Sequence, residues 1–211
     1  MRGLFIVFEG IDGAGTGTQI RLLKKRLEDL GHIVHDEEEP SEHRLPFGKQ
    51  ADDVLKKIIS HPGDKELQIL MVKDRAQHVK QIQSWLALGH IVICSRYLYS
   101  TLVYGQASDV PYDELWEMNK NFPRPNMAFY LDITAEESIR RVKRRGAPLE
   151  YFEVLEFQKK VRGLFSDMIG RPEFPELRLI NGKLHPKEVH EHVCRLVQPF
   201  LPRGPIVSIR S

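Results

Sequence analysis

The chain has 211 residues, of which 41% are hydrophobic and 28% charged, a length and composition that suit one globular domain with a sizeable core. Its formal net charge of +2 is too small to argue for nucleic acid, and no apolar run approaches the ~20 residues of a membrane span. The apolar run Phe5 to Phe8 ends at Glu9, the nine histidines lack metal-ligand spacing, and Cys94 and Cys194 lie far apart. No leader peptide, no membrane partner and a cytoplasmic, reducing location are therefore expected.

In chain order, Leu4 to Phe8 predicts a buried strand. Thr18 to Leu30 has apolar residues at helical spacing and stops at Gly31. His32 to His35 predicts a short second strand, and Ala51 to Ile59 a helix. Glu66 to Leu88 predicts a long helix closed by Gly89. Strands follow at Ile91 to Cys94 and Met127 to Leu131. Ala135 to Arg145 and Phe152 to Ile169 read as helices, Leu177 to Ile180 as the last strand, and Pro186 to Phe200 as the last helix. Strands separated by helices predict an α/β fold, a parallel sheet with helices on both faces.

The turn after the first strand carries the strongest signal. Gly10-Ile11-Asp12-Gly13-Ala14-Gly15-Thr16-Gly17-Thr18 sits between a strand and a helix start, where a phosphate-binding loop belongs. That loop reads Gly, four residues, Gly, Lys, then Ser or Thr. Gly10 and Gly15 hold the glycine positions, but Thr16 replaces the lysine and Gly17 the hydroxyl residue. A glycine-rich turn offers an anion site from backbone N–H groups and the helix dipole without the lysine. Phosphate binding therefore survives the substitution; the fixed cation for phosphoryl transfer does not.

Four segments together resemble the thymidylate kinase family over nearly the whole chain. They are Phe8-Glu9-Gly10-Ile11-Asp12-Gly13-Ala14-Gly15 with Thr18-Gln19; Glu39-Pro40 followed by Pro46-Phe47-Gly48-Lys49; Lys73-Asp74-Arg75-Ala76-Gln77-His78; and Arg96-Tyr97-Leu98-Tyr99-Ser100 followed by Tyr104. Pro125 and Leu131-Asp132 add a fifth point of likeness. The resemblance implies the P-loop nucleoside monophosphate kinase fold, a five-stranded parallel sheet with a mobile lid. Residues 1–201 would form the kinase domain, with the lid at about 144–151, and residues 202–211 a tail. It implies transfer of phosphate from ATP to dTMP with Mg²⁺, giving dTDP and ADP, by a homodimer packed through the long helix.

By the same resemblance, Gly10, Asp12, Gly13, Ala14, Gly15, Thr16, Gly17 and Thr18 form the ATP site, with Thr18 within reach of the metal. Asp12 would hold the sugar 3′-hydroxyl, Arg75 read a carbonyl of the base and Arg96 grip the monophosphate. Met71, Ser100 and Tyr104 would complete the substrate pocket. Arg141 and Arg145, in the basic run from Arg140 to Arg145, would close with Arg96 on the transferring phosphoryl group. Plainer readings stand beside these. Asp12 would be a helix-start acid, Arg75 a solvated helix arginine, Arg96 a structural ion pair, Tyr104 core, and the basic run a set of cations at a helix end.

The departures from the family pattern cluster at the site. Besides Thr16, Glu38 stands for an arginine, Ser95 for an aspartate, Met71 for a stacking phenylalanine and Tyr151 for a lid arginine, and Gly105-Gln106 reverses the usual order. Two further readings follow from them. One is a nucleotide-binding protein of this fold that regulates or recruits instead of catalysing. The other is a kinase for a different deoxynucleoside monophosphate, since Met71 stacks the base less strictly.

Overall fold

A computed structural model describes residues 3–146 and 148–201; the tail expected over 202–211 lies outside them. Five strands form one parallel sheet in the order β2-β3-β1-β4-β5. They are β1 (Leu4–Gly10), β2 (Val34–Glu38), β3 (Ile91–Ser95), β4 (Met127–Asp132) and β5 (Leu177–Asn181). The crossover helices are α1 (Thr16–Asp29), α2 (Phe47–Leu55) and α3 (Asp64–Ala87), then α4 (Leu98–Ala107), α5 (Tyr112–Asn119), α6 (Ala135–Arg144) and α7 (Leu155–Met168), and α8 (Pro186–Val197) follows the last strand.

Every residue of β1 is buried, as in a strand covered by helices on both faces. Ile6, Val7 and Phe8 have no exposed surface, and nor do Val92, Ile93, Ala128 and Phe129 of the neighbouring strands. Each such side chain contributes roughly 1.5–3 kcal/mol of burial. The strand order turns back at β1, so the crevice at its carboxyl end is the place where this architecture takes ligands. Gly10 ends β1 there, and Arg96 follows β3 beside it.

Several predicted boundaries move, and two helices were not predicted. The second strand runs from Val34 to Glu38, later than His32 to His35. It is an edge strand whose outward positions are acidic, so it lacks an apolar run. The helix expected over Ala51 to Ile59 is α2, from Phe47 to Leu55, and ends where Lys57 takes a positive φ of 58°. The start expected at Phe152 falls at Leu155, because Phe152 and Glu153 turn inward. The last helix gives way to a 3₁₀ turn over Gln198–Phe200. α4 is buried nearly all round, and a helix without a polar face has no periodicity to read. α5 is only eight residues long.

Candidate active site

Two cavities meet at the carboxyl end of β1. One is an enclosed pocket of about 270 Å³ lined by Asp12, Gln68, Met71, Arg75, Arg96 and Tyr104, among others. The other is an open cleft of about 910 Å³ along Gly13, Gly15, Thr16, Gly17 and Thr18, facing the acidic end of β2.

The cleft is built from backbone. Gly13 and Gly15 take positive φ of 74° and 99°, where a side chain costs about 1–2 kcal/mol. Space is a second reason at Gly13, where a Cβ would lie 3.1 Å from the Ser138 carbonyl oxygen. At Gly10 it would lie 2.7 Å from Ala14 Cβ. Gly15 caps α1 without any side-chain hydrogen bond. Among the described residues, the N–H groups of Gly13, Gly15, Thr16 and Gly17 have no backbone acceptor. They form an anion cradle at the positive end of the helix.

Its surroundings are mixed in charge. Asp36, Glu37 and Glu38 line the cleft with Arg21 and Arg44. Arg44 is committed elsewhere: Nε donates to Asp74 at 2.7 Å and Nη1 to Glu37 at 3.2 Å. Gly48 allows this packing, since a Cβ there would meet Asp74 Oδ1 at 2.5 Å. Hard oxygen donors such as the Thr18 and Ser95 hydroxyls and the Glu38 carboxylate suit Mg²⁺, and all three line the cleft.

The enclosed pocket is built from side chains that hold one another. Asp12 pairs with Arg96 and accepts from Gln158 Nε2 at 2.7 Å, while its own N–H donates to Gln158 Oε1 at 3.2 Å. The Ser138 hydroxyl donates to the Asp12 carbonyl at 2.6 Å. Arg96 has a positive φ of 62°, a strained backbone of the kind found at ligand sites. Its guanidinium lies 4.9 Å from the centre of the Tyr104 ring. The Tyr104 hydroxyl is buried without a partner among the described residues.

Below Arg96 lies Glu9, fully buried. It accepts from Tyr97 N at 2.8 Å and from the Ser100 hydroxyl at 2.5 Å. Burial pushes its carboxyl up to about 7, against the opposing hydrogen bonds from Ser100 and Tyr97. Arg75 is 2% exposed, which excludes the solvated reading. Nε donates to Glu39 at 2.7 Å, Nη1 to Asn119 and Nη2 to Thr101 at 3.1 Å, with Tyr97 and Phe122 rings on the guanidinium. Burial alone would raise Glu39; Arg75 and His78 outweigh it and hold the carboxyl below its ordinary range.

Glu39, His78 and Cys94 offer ligand atoms within 4.8 Å of one another, a cluster that sequence spacing did not reveal. Their chemistry argues for a hydrogen-bonded core. His78 Nδ1 lies 2.8 Å from Glu39, burial pushes the Cys94 thiol well up, and that thiol donates to the Arg96 carbonyl at 3.1 Å.

The basic run reaches neither cavity. Arg141 Nε donates to Glu137 at 2.6 Å and Nη1 to the Gly13 carbonyl at 3.3 Å, behind the loop. Arg145 pairs at 2.6 Å with Glu153, whose other oxygen accepts from Glu150 N. Residues 148–152 lie at the mouth of the enclosed pocket. Tyr151 N donates to the Leu55 carbonyl at 2.8 Å and Lys57 Nζ to the Leu149 carbonyl at 2.9 Å. The Tyr151 ring stacks on His61 with centroids 4.3 Å apart. Glu150 and Phe152 line the pocket from this side.

Sequence reasoning missed Glu9, Gln158 and Arg44 as parts of the site. Glu9 carried a faint signal, an acid inside an apolar strand; Gln158 is 146 residues from Asp12 and carried none.

A glycine cradle on one side of the β1 carboxyl end and a closed pocket with two arginines on the other define a P-loop nucleoside monophosphate kinase. The comparisons with known proteins agree. The thymidylate kinase family model matches residues 8–193. A protein of Pyrococcus abyssi named "Probable thymidylate kinase" is 40% identical over 203 residues, 94% of this chain and 97% of its own. One from Thermococcus gammatolerans is 33% identical, over 96% and 99%. The thymidylate kinase structure of Candida albicans superposes with a TM-score of 0.83 over 94% of this chain and 92% of its own, at 24% identity, a likeness of fold. The chain belongs to the thymidylate kinase family.

Proposed function

We propose that the enzyme transfers the γ-phosphoryl group of ATP to dTMP, with dTMP in the enclosed pocket and ATP phosphates on the loop. The observation that carries this reading is the Asp12–Arg96 pair in the pocket, each residue next in sequence to one that lines the cleft, Gly13 and Ser95. It would set a phosphate-gripping fork beside the cradle, as transfer between two bound phosphates requires.

Such transfer is positioning plus charge neutralisation. The free N–H groups hold the donor phosphates. Arg96 orients the acceptor phosphate, Asp12 the sugar hydroxyl, and Arg75 and Met71 the base, while Ser100 acts through Glu9 to hold the floor. The Tyr104 hydroxyl is a free handle for the sugar. Thr18, with Ser95 and Glu38, would hold Mg²⁺, which supplies neutralisation of the β- and γ-oxygens when bound. Arg141 and Arg145 would swing from Glu137 and Glu153 toward the γ-phosphate as residues 144–151 move as a lid.

A second copy would pack on α3, whose Ile69, Val72 and Ala76 form an apolar stripe at i, i+3, i+7 on its less buried side. No helix among the described residues is long and apolar enough to cross a membrane. The two free cysteines fit the cytoplasm.

A coupled ADP-release assay with ATP, Mg²⁺ and each nucleoside monophosphate in turn tests the reading. Turnover with dTMP is expected to exceed that with dCMP, dGMP and dAMP. No turnover with any of them, alongside retained nucleotide binding, would hand the chain to a non-catalytic role. Preference for another monophosphate would reassign the acceptor.

A further inference from the structure

Gln68 is a polar side chain of the enclosed pocket to which nothing above gives a task. On α3 it precedes Met71 by one turn and Arg75 by two, so the three share a helix face, and all three line the pocket. The residue is 1% exposed, and its Cγ packs beside Gly105 of α4, so its amide is held at the pocket wall.

Several neighbouring polar groups are already engaged, the Tyr104 hydroxyl excepted. Arg75 donates to Glu39, Asn119 and Thr101. The Ser100 hydroxyl donates to Glu9, and that of Tyr97 to the Pro123 carbonyl at 3.1 Å. The reversed Gly105-Gln106 pair has a physical reason in the same place. Gln106 folds back along α4, its Nε2 donating to the Leu102 carbonyl at 2.8 Å. Gly105 leaves the space that Gln68 uses: a Cβ there would lie 3.2 Å from Gln68 Cγ and 2.6 Å from Leu115 Cδ2.

We propose that Gln68 is a specificity-determining residue that reads the base of the acceptor nucleotide through an imide edge. Oε1 accepts from N3–H and Nε2 donates to O4. The proposal rests on the enclosed pocket being the acceptor site. A primary amide presents one acceptor and one donor side by side, and the thymine imide presents their complement. With Met71 as the apolar wall, the base is recognised by its edge more than by stacking. A site that leaves an amide unpaired when the edge is altered discriminates strongly.

The test is titration calorimetry on the full chain with dTMP and N3-methyl-dTMP, for the unmutated protein, Gln68→Met and Gln68→Leu. Thermal unfolding and ATP binding serve as controls for folding. The unmutated protein is expected to bind N3-methyl-dTMP at least about tenfold more weakly than dTMP. Either folded variant should lose about tenfold in dTMP affinity and treat the two ligands within about twofold, as a coupled pair requires. A variant that binds dTMP as tightly as the unmutated protein overturns the proposal. So does one that loses dTMP affinity while keeping the full discrimination against the methylated base, which would make Gln68 structural. If the unmutated protein binds ATP but no dTMP, the acceptor assignment fails first, and the proposal falls with it.

Discussion

The two halves of the active site are made of different material. The acceptor pocket is a lattice of side chains: Asp12 is held by Arg96 and Gln158, Arg75 by Glu39, Asn119 and Thr101, and Ser100 by Glu9. The donor cleft is a bare turn of backbone N–H groups with acids opposite it. One half carries its charges fixed in place. The other lacks the loop lysine; Arg21 and Arg44 line it, but Arg44 is committed to Asp74 and Glu37. Under the proposed assignment, preorganisation is greatest where the smaller ligand would be selected.

The largest effect should come from removing the cation that joins the halves. Arg96→Ala should weaken dTMP binding about a thousandfold, the worth of two charge-assisted hydrogen bonds at ~2 kcal/mol each. ATP binding should change little. Calorimetry showing equal losses for both nucleotides would erase the division between the two regions.

The second test concerns the buried acid beneath the acceptor side. The Glu9 carboxyl is raised from 4.5 to about 7 on folding, so the folded state binds its proton more tightly than the unfolded chain. Its stabilising effect is complete below pH 4.5 and is lost as pH rises through 7. Relative to Glu9→Gln, the unmutated protein should lose roughly 3 kcal/mol of stability across that window. Urea melts from pH 4.5 to 8 measure the difference. Parallel pH profiles for the two proteins would mean that Glu9 is ionised throughout.

The donor side should respond more in rate than in binding. Arg145→Ala should lower turnover about a hundredfold, as for loss of one preorganised charge, with dTMP affinity within a few-fold. Steady-state kinetics beside calorimetry separate the two, and unchanged turnover would leave Arg145 a partner of Glu153 alone. Smallest is the expected gain from Thr16→Lys, about tenfold in turnover, because Glu38 and Asp36 would draw on part of the new charge. A folded variant with lower turnover would show that the cleft has been rebuilt around the missing lysine.

Much of this was legible in the sequence, for stated reasons. The glycines of the loop are forced by positive φ and close approach, and those demands are written locally. β1, β3 and β4 are solid apolar runs because both faces are covered. Asp12, Arg75 and Arg96 were findable because each sits in a recognisable segment at a strand end or on the long helix. What escaped were contacts made across the fold. Gln158 reaches Asp12 from another helix, and Arg44 leaves a loop to satisfy Asp74. The direction of Gln68 depends on an absent side chain at Gly105. α4 escaped because burial on all sides leaves no pattern, although it carries Ser100, Thr101 and Tyr104 into the pocket.

The seal over the acceptor pocket has one more consequence. It is held by a ring face, Tyr151 on His61, and by donors to the carbonyls of Leu55 and Leu149, with the Arg145–Glu153 pair beside it. Dissolved salt shortens the reach of charge to about 10 Å at 0.1 M, but it does little to stacked rings or amide dipoles. Rising salt should therefore weaken the proposed phosphate contacts, on the loop and at Arg96 alike, more than it weakens the ring stack beside the pocket.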